Sequence, residues 1–334
     1  MFVSIVVPCY RSAATLPPLV NRLTAVMPTA STAYEVILVV DGSPDGTWEV
    51  ARELALHGPN VRAIRLARNY GQHNALIAGV RAARYDVVVT MDDDLQHLPE
   101  EVPTLLAALT DDVDLVYGLP DAEEHGLVRS LASRLVKAGI ASTMGVGSAR
   151  MVSAFRAFRT LLRQGFDLVN GPDVSVDVAL SWGTTRVAAA TVRMAQRTEG
   201  RSGYTVRGLL RHALNMMLGY STAPLRLVTF AGFLVGVGGI ALFVRLIWMY
   251  FHGDTTIAGF TTIASMVALF SSAIMIAVGV LGEYVGRIHA SGMGRPTYVI
   301  RERAQAATPD DDTDVRDAGV DAGVATLEAP TVRG

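Results

Sequence analysis

Three adjacent carboxylates follow an apolar run that is typical of a buried strand. The run is VVVTM, residues 87–91, and it leads directly into Asp92, Asp93 and Asp94. These like charges repel one another, so the cluster is costly unless a positive charge binds there. In an extended chain alternate side chains point to opposite sides, which places Asp92 and Asp94 together and Asp93 apart from them. Two hard oxygen ligands, with no cysteine or paired histidine nearby, indicate Mg²⁺ or Mn²⁺.

A second interpretation gives the same residues no chemistry. Asp94 or His97 could cap the helix that begins near Pro99, and the acidic run would then be a solvated turn. A single D-x-D triplet does not decide between the two interpretations, because such triplets are common by chance.

The elements around this cluster predict an α/β fold. Short runs rich in Val and Ile predict strands, and the longer stretches between them predict helices. The strands are predicted at 3–8, 35–40, 61–66, 86–91 and 112–118, and the helices near 15–27, 46–57, 71–84 and 100–110. This alternation is typical of a doubly wound, mostly parallel sheet, in which ligands bind beyond the carboxyl ends of the strands. DGSPDGT (41–47) and DDDLQ (92–96) lie at such ends and are expected to line one crevice.

Two long apolar segments follow the α/β region. Residues 227–244 and 255–282 carry no charged side chain, and about 20 apolar residues are enough to cross a bilayer. We expect transmembrane helices at about 226–250 and 257–283; the alternative is a pair of buried core helices. Arginines lie before the first segment and after the second, and the connecting HGDTT has none. This pattern predicts a multi-pass protein of the cell membrane, with the α/β domain and both termini in the cytoplasm.

The sequence therefore divides into five predicted segments. A cytoplasmic α/β domain (1–204) precedes a helix (205–222). This helix either lies in the headgroup plane or packs as an ordinary amphipathic helix. The two membrane helices (223–288), a basic cytoplasmic segment (289–307) and a disordered acidic tail (308–334) complete the chain.

Composition excludes two classes of protein. The 29 basic residues are balanced by 31 acidic ones, which argues against a general nucleic-acid binder. A single cysteine, Cys9, excludes an internal disulfide framework and fits a reducing compartment.

Several blocks of the chain resemble, in order, those of the family 2 glycosyltransferases with the GT-A fold. The blocks are VSIVVPCYRSAATLPPLV, VVDGSPDGTWEVA, RNYGQHNALIAGVRAA, MDDDLQHLPEEVPTLL, RTEGRSGYTV and LGEYVGRIHASGMGRPTYVI. They are similar above all to the polyprenyl-phosphate glycosyltransferases, which act on undecaprenyl or dolichol phosphate. The resemblance covers roughly residues 3–300. It implies a hexosyltransferase that moves a sugar, with inversion, from a UDP- or GDP-linked donor to polyprenyl phosphate in a lipid membrane, as a monomer or a homo-oligomer.

The resemblance also implies roles for individual residues. Asp92 and Asp94 match the metal-binding pair, with Asp94 favoured for direct ligation, and Gln96 matches a residue of the donor-sugar site. The residues that match the nucleotide-sugar pocket are Pro8, Tyr10, Asp41, Arg68 and Gln72. The residues that match or adjoin the acceptor-phosphate site are Arg129, Arg156, Arg197, Arg201 and Ser202.

Two positions depart from the family pattern. No carboxylate lies just before Phe155 and Arg156, where members often have a proposed base. A phosphate acceptor needs no strong base, because its second ionisation has a pKa of about 6. Asp93 is the other departure, since members usually have a small residue there. Two alternative functions remain open at this point: a transferase that acts on a polysaccharide or protein hydroxyl, and a non-catalytic membrane scaffold.

Overall fold

A computed structural model describes residues 1–121, 151–167, 175–195, 223–252 and 259–306. Its strands are β1 (Phe2–Cys9), β2 (Ala33–Val40), β3 (Val61–Leu66), β4 (Val87–Thr90), β5 (Leu115–Pro120), β6 (Arg156–Arg159), β7 (Val187–Val192) and β8 (Ile300–Gln305). Its helices are α1 (Leu16–Ala30), α2 (Thr47–His57), α3 (Gln72–Ala82), α4 (Val102–Ala108), α5 (Gln164–Asp167), α6 (Val176–Gly183), α7 (Ala223–Phe251) and α8 (Phe260–Gly292), with 3₁₀ turns at Pro99–Glu101 and Thr160–Arg163.

The eight strands form one sheet in the order β7-β5-β6-β4-β1-β2-β3-β8. The pairs among β1, β2, β3 and β4 are parallel, as is β5 with β7, whereas β6 and β8 run antiparallel to their neighbours. This arrangement confirms the predicted mostly parallel α/β sheet, and the five predicted strands correspond to β1–β5.

Apolar side chains cover both faces of the sheet. Successive residues of a strand point to opposite faces, so Ile5 and Val7 pack with α1, α2 and α4, and Val6 packs with α3 and α6. In α1, Leu16, Leu19 and Leu23 recur at helical spacing and are fully buried. These two layers hold the ends of β4, β1 and β2 side by side.

The two long apolar segments form α7 and α8, but only part of the predicted hairpin is supported. Within the described residues, α8 contains one stretch long and apolar enough to cross a bilayer, Leu269–Gly286, whereas the apolar stretch of α7, Leu227–Ala241, is shorter. The Leu269–Gly286 stretch is not buried. The helices approach closely at Gly239, where an added methyl group would lie 3.0 Å from the Phe270 ring.

The chain returns to the sheet after α8. Within the segment expected to be a basic cytoplasmic stretch, β8 pairs antiparallel with β3 and forms the edge of the sheet. Arg65 of β3 contacts Glu302 of β8 at 3.2 Å. The end of α8 is therefore tied to the same sheet as the N-terminal strands.

Candidate functional site

The loops after β4, β1 and β2 meet at one edge of the sheet. Cys9 pairs with Val40, so Tyr10 and Asp41 follow neighbouring strand ends, and β4 lies on the other side of β1. The acidic residues begin two positions beyond Thr90, the last residue of β4. The two polar clusters singled out in the sequence thus lie at the same edge of the sheet, where the crevice is expected.

The acidic residues form a bend, and each side chain accepts a hydrogen bond from a different partner. The Asp92 Oδ1 atom accepts a hydrogen bond of 2.6 Å from the Gln72 amide. The Asp94 Oδ1 atom accepts one of 3.1 Å from the Gln96 N–H, and the Asp94 side chain is exposed. Asp93 turns instead toward β1, where its Oδ2 accepts from the Tyr10 N–H at 3.1 Å. Asp94 is therefore the most accessible carboxylate of the three.

Leu95 holds this bend in an unusual conformation. Its φ of 62° lies in the left-handed region, which residues other than glycine rarely adopt without compensation. The compensation is packing, because Leu95 is partly buried against the main apolar core. The bend brings the Asp94 carboxylate back onto the Gln96 N–H.

The environment of Asp92 disfavours its charged form. Burial, followed by the neighbouring charge of Asp94, raises the pKa of the Asp92 carboxyl to about 6, while Arg156 and the bond from Gln72 act in the opposite direction. Burial likewise raises the pKa of Asp93 to about 6. Two adjacent, partly buried acids at a strand end would be stabilised by a bound cation.

His97 supports the bend from below. Its Nδ1 accepts a hydrogen bond of 3.0 Å from the Asp92 backbone N–H, and its ring stacks on Phe155 with 5.1 Å between centroids. Burial lowers the pKa of His97 to about 4, so the ring is neutral at pH 7. The alternative interpretation, in which Asp94 or His97 caps the helix near Pro99, is wrong: neither Pro99–Glu101 nor α4 has a side-chain cap. The sequence indicated no role for His97 in holding Asp92.

Asp41 is buried and organises the loop before α3. Its two carboxylate oxygens accept hydrogen bonds of 2.7 Å from the backbone N–H groups of Tyr70 and Gly71. Burial raises the pKa of Asp41, and these two bonds oppose the shift. The Arg68 guanidinium lies 4.5 Å from the centre of the Tyr70 ring. Asp41 thus holds the loop that contains Arg68 and leads into Gln72, the first residue of α3.

Arg156 lies underneath the acidic bend and is almost fully buried. Its Nε donates to the Thr90 hydroxyl at 2.9 Å, and its Nη1 pairs with Asp177, which also accepts from the Tyr117 hydroxyl at 3.2 Å. Its charge is close enough to lower the pKa of Asp92. The sequence placed Arg156 on the acceptor side but did not indicate Asp177, a carboxylate some twenty residues further along.

The remaining predicted residues divide into two groups. Pro8 is a buried residue of β1, whereas the Tyr10 side chain is 43% exposed beside the crevice. The other acceptor-side residues lie outside the described residues: Arg129, Arg197, Arg201 and Ser202.

Comparison with protein families and curated proteins finds one consistent kind of relative. The family model described as glycosyl transferase family 2 matches residues 4–160. An undecaprenyl-phosphate 4-deoxy-4-formamido-L-arabinose transferase of Aeromonas hydrophila is 32% identical over 92% of this chain and 95% of its own length. A transferase of the same name from Yersinia pestis is 31% identical over 94% of this chain and 97% of the Yersinia protein.

Among solved structures, a glucosyl-3-phosphoglycerate synthase from Mycobacterium tuberculosis matches with a TM-score of 0.49 and 18% identity. The match covers 66% of this chain and 78% of the synthase chain. The synthase structure is in complex with Mn²⁺ and UDP-glucose.

Proposed function

Because the chain belongs to the family 2 glycosyltransferases, we propose that it transfers a sugar from a nucleotide diphosphate to undecaprenyl phosphate at a membrane surface. The observation that carries this proposal is the extent of the match. The family model ends at residue 160, whereas the similarity to undecaprenyl-phosphate transferases continues over 92% of the chain. The regions that would handle a lipid acceptor are therefore similar as well.

The residues at the end of β4 suit a hard divalent cation, Mg²⁺ or Mn²⁺. Asp94 is exposed and Asp92 is held by Gln72, and both offer carboxylate oxygen, which such ions prefer. Within the described residues no three His, Cys, Asp or Glu side chains gather to hold a metal by themselves. This fits an ion that is shared between the protein and substrate phosphates. When bound, it would neutralise negative charge on the departing diphosphate.

A phosphate acceptor does not require a general base from the protein. A phosphate monoester is largely ionised at pH 7 and can displace the nucleotide diphosphate directly, with inversion at the anomeric carbon. Asp177 pairs with the Arg156 guanidinium, and this pairing suits it to holding Arg156 in place rather than to removing a proton. A hydroxyl acceptor would instead require a general base.

The connectivity of the sheet supports a membrane hairpin. Because β7 and β8 belong to one sheet, the chain between them must cross a bilayer an even number of times or not at all. If the stretch Leu269–Gly286 crosses once, a second crossing is required, and α7 is the other long apolar helix among the described residues. We accordingly place the sheet and the end of α8 on the cytoplasmic side, where the flanking arginines favour them.

The test is a transfer assay with purified protein, undecaprenyl phosphate and labelled UDP-glucose, UDP-4-deoxy-4-formamido-L-arabinose or GDP-mannose. We expect label to enter the organic phase with one of these donors and to require Mg²⁺ or Mn²⁺. Asp94→Asn should lower kcat/KM by about 100-fold or more, because charge stabilisation of the leaving group is lost.

The matched control is Asp111→Asn, which alters a fully exposed aspartate before β5, away from the crevice. This variant should transfer at the parental rate. Turnover that persists in a chelator, or an Asp94→Asn variant as active as Asp111→Asn, would refute the metal assignment. Transfer to a soluble hydroxyl in place of the lipid phosphate would refute the acceptor.

A further inference from the structure

Three consecutive backbone N–H groups after β1 are each bound by a side chain from another loop. The Tyr10 N–H donates to Asp93 Oδ2 at 3.1 Å, the Arg11 N–H to the Ser43 hydroxyl at 2.8 Å, and the Ser12 N–H to the Thr47 hydroxyl at 3.0 Å. These three hydrogen bonds therefore fix the backbone at each of the three residues. We name residues 10–12 the β1 loop.

Asp45 holds two of the three acceptors in place. Its Oδ1 accepts hydrogen bonds of 2.6 Å from both the Ser43 and the Thr47 hydroxyls. With their protons directed at Asp45, the two hydroxyls present lone pairs to the β1 loop. The first of the three acceptors, Asp93, comes from the separate loop after β4 and is the one ionisable acceptor of the set.

The β1 loop needs this support because its central residue is in an unfavourable conformation. Arg11 has a φ of 57°, and Arg11 and Leu95 are the two non-glycine residues with positive φ in the described part of the chain. Such residues cost free energy and persist where surrounding contacts fix them. One lies in the β1 loop and the other in the acidic bend, and the Asp93–Tyr10 hydrogen bond joins these two loops.

We infer that Asp93 is a positioning residue that fixes the β1 loop, and through it the Tyr10 side chain, against the nucleotide of the sugar donor. The inference rests on the proposed function. The Tyr10 ring is half-exposed at the crevice while its backbone is fixed by Asp93. Asp93 faces β1, whereas Asp92 faces Gln72 and Asp94 faces Gln96, so Asp93 acts on the binding of the nucleotide and not on the metal.

The test compares the binding of UDP and GDP, with Mn²⁺ present, to the full-length parent and to Asp93→Ala and Asp93→Asn. An asparagine retains an oxygen that accepts the Tyr10 N–H but lacks the charge that a metal would require. We expect Asp93→Ala to weaken binding of the preferred nucleotide by about tenfold, the effect of losing a hydrogen bond to a charged acceptor. Asp93→Asn should remain within about threefold of the parent, and the Mn²⁺ concentration for half-maximal binding should not change.

A double-mutant cycle identifies the route of the effect. If Asp93 acts through Tyr10, Asp93→Ala should add little to the loss already caused by Tyr10→Ala. Thermal unfolding of each variant in detergent identifies misfolding, and the Asn variant carries the test if Asp93→Ala does not fold.

Three outcomes would overturn the inference. Parental binding by Asp93→Ala would remove any positioning role. An Asn variant as weak as the Ala variant, with a raised Mn²⁺ requirement, would make Asp93 a metal residue. Additive effects in the cycle would separate Asp93 from Tyr10. If neither UDP nor GDP binds the parent, the proposed function fails and the inference fails with it.

Discussion

At the scale of single residues, His97 illustrates how a neutral side chain can fix a charged one. Its Nδ1 accepts the Asp92 N–H, an arrangement that an asparagine oxygen can reproduce and a leucine cannot. We expect His97→Leu to lower kcat/KM by about tenfold, since the Asp92 amide is left without its buried partner, and His97→Asn to retain most of the activity. His57→Leu, at the exposed end of α2, is the control. Equal activity of the Leu and Asn variants would contradict this role.

The same histidine predicts an acid sensitivity. Its pKa is lowered from the ordinary value of 6.5 to about 4 in the folded protein, so between these values the unfolded chain takes up a proton that the folded protein does not. Stability is therefore lost as the pH falls through this window. The raised pKa values of Asp92 and Asp93 have the opposite effect on stability, but the parent and a His97→Asn variant both contain these two residues. The fall in thermal midpoint from pH 7 to about pH 4.5 should thus be larger for the parent than for His97→Asn.

Single residues also mark the limit of what the sequence predicts. Asp92, Asp94 and Asp41 were identified by residue type and spacing, and they lie at the expected strand ends. The partners of these residues were not predictable, because Gln72, His97 and Arg156 reach Asp92 through the packing of α3, the bend itself and β6. Local sequence patterns carry no information about such contacts between distant segments.

At the scale of elements, a backbone contact joins the loop after β2 to the loop before α3. Gly42 has a φ of 57°, and a methyl group added there would lie 2.2 Å from the Arg68 carbonyl carbon. We expect Gly42→Ala to destabilise the protein by about 2 kcal/mol or more, because one of the two loops must move. Nucleotide binding should weaken as well, since Asp41 holds the same loop. Thermal unfolding and UDP or GDP binding measure the two effects.

Gly46 provides a matched control for that substitution. It precedes α2 with a φ of −71°, and an added methyl group would meet nothing within 4 Å. Gly46→Ala should therefore leave stability and binding close to those of the parent. If Gly42→Ala is tolerated equally well, the close approach of the two loops is not essential.

Two of the three strands that sequence analysis did not predict, β6 and β8, share a physical cause. β1–β5 are largely apolar runs that neighbouring residues alone identify as strands, and their bounds were predicted to within a few residues. β6 has arginine at both ends and β8 reads IRERAQ, so neither resembles a buried strand. β6 is stabilised by insertion between β4 and β5, and β8 by pairing with β3 across more than 230 residues of chain. Pairing over such distances leaves no local signal.

At the scale of the whole molecule, the return of the chain to β3 constrains its passage through a membrane. Because β7 and β8 belong to one sheet, the chain between them crosses a bilayer an even number of times or not at all, and we expect α7 and α8 to cross as a pair. The single cysteine, Cys9, is buried, which permits labelling of cysteines introduced into a Cys9→Ser background. Thr255, between the two helices, and Met293, just after α8, are suitable positions because they bracket the proposed second crossing.

We expect a membrane-impermeant maleimide to label Thr255→Cys in intact spheroplasts, and Met293→Cys only after lysis, because the proposed hairpin would expose the segment between the helices outside the cell and keep the end of α8 in the cytoplasm. Asp111→Cys, an exposed position in the catalytic domain, is the control for the cytoplasmic side. Protection of both Thr255→Cys and Met293→Cys in spheroplasts would place both helices on the cytoplasmic surface. Labelling of Met293→Cys from outside would be incompatible with the pairing of β8 with β3, since that strand cannot reach a sheet across the bilayer.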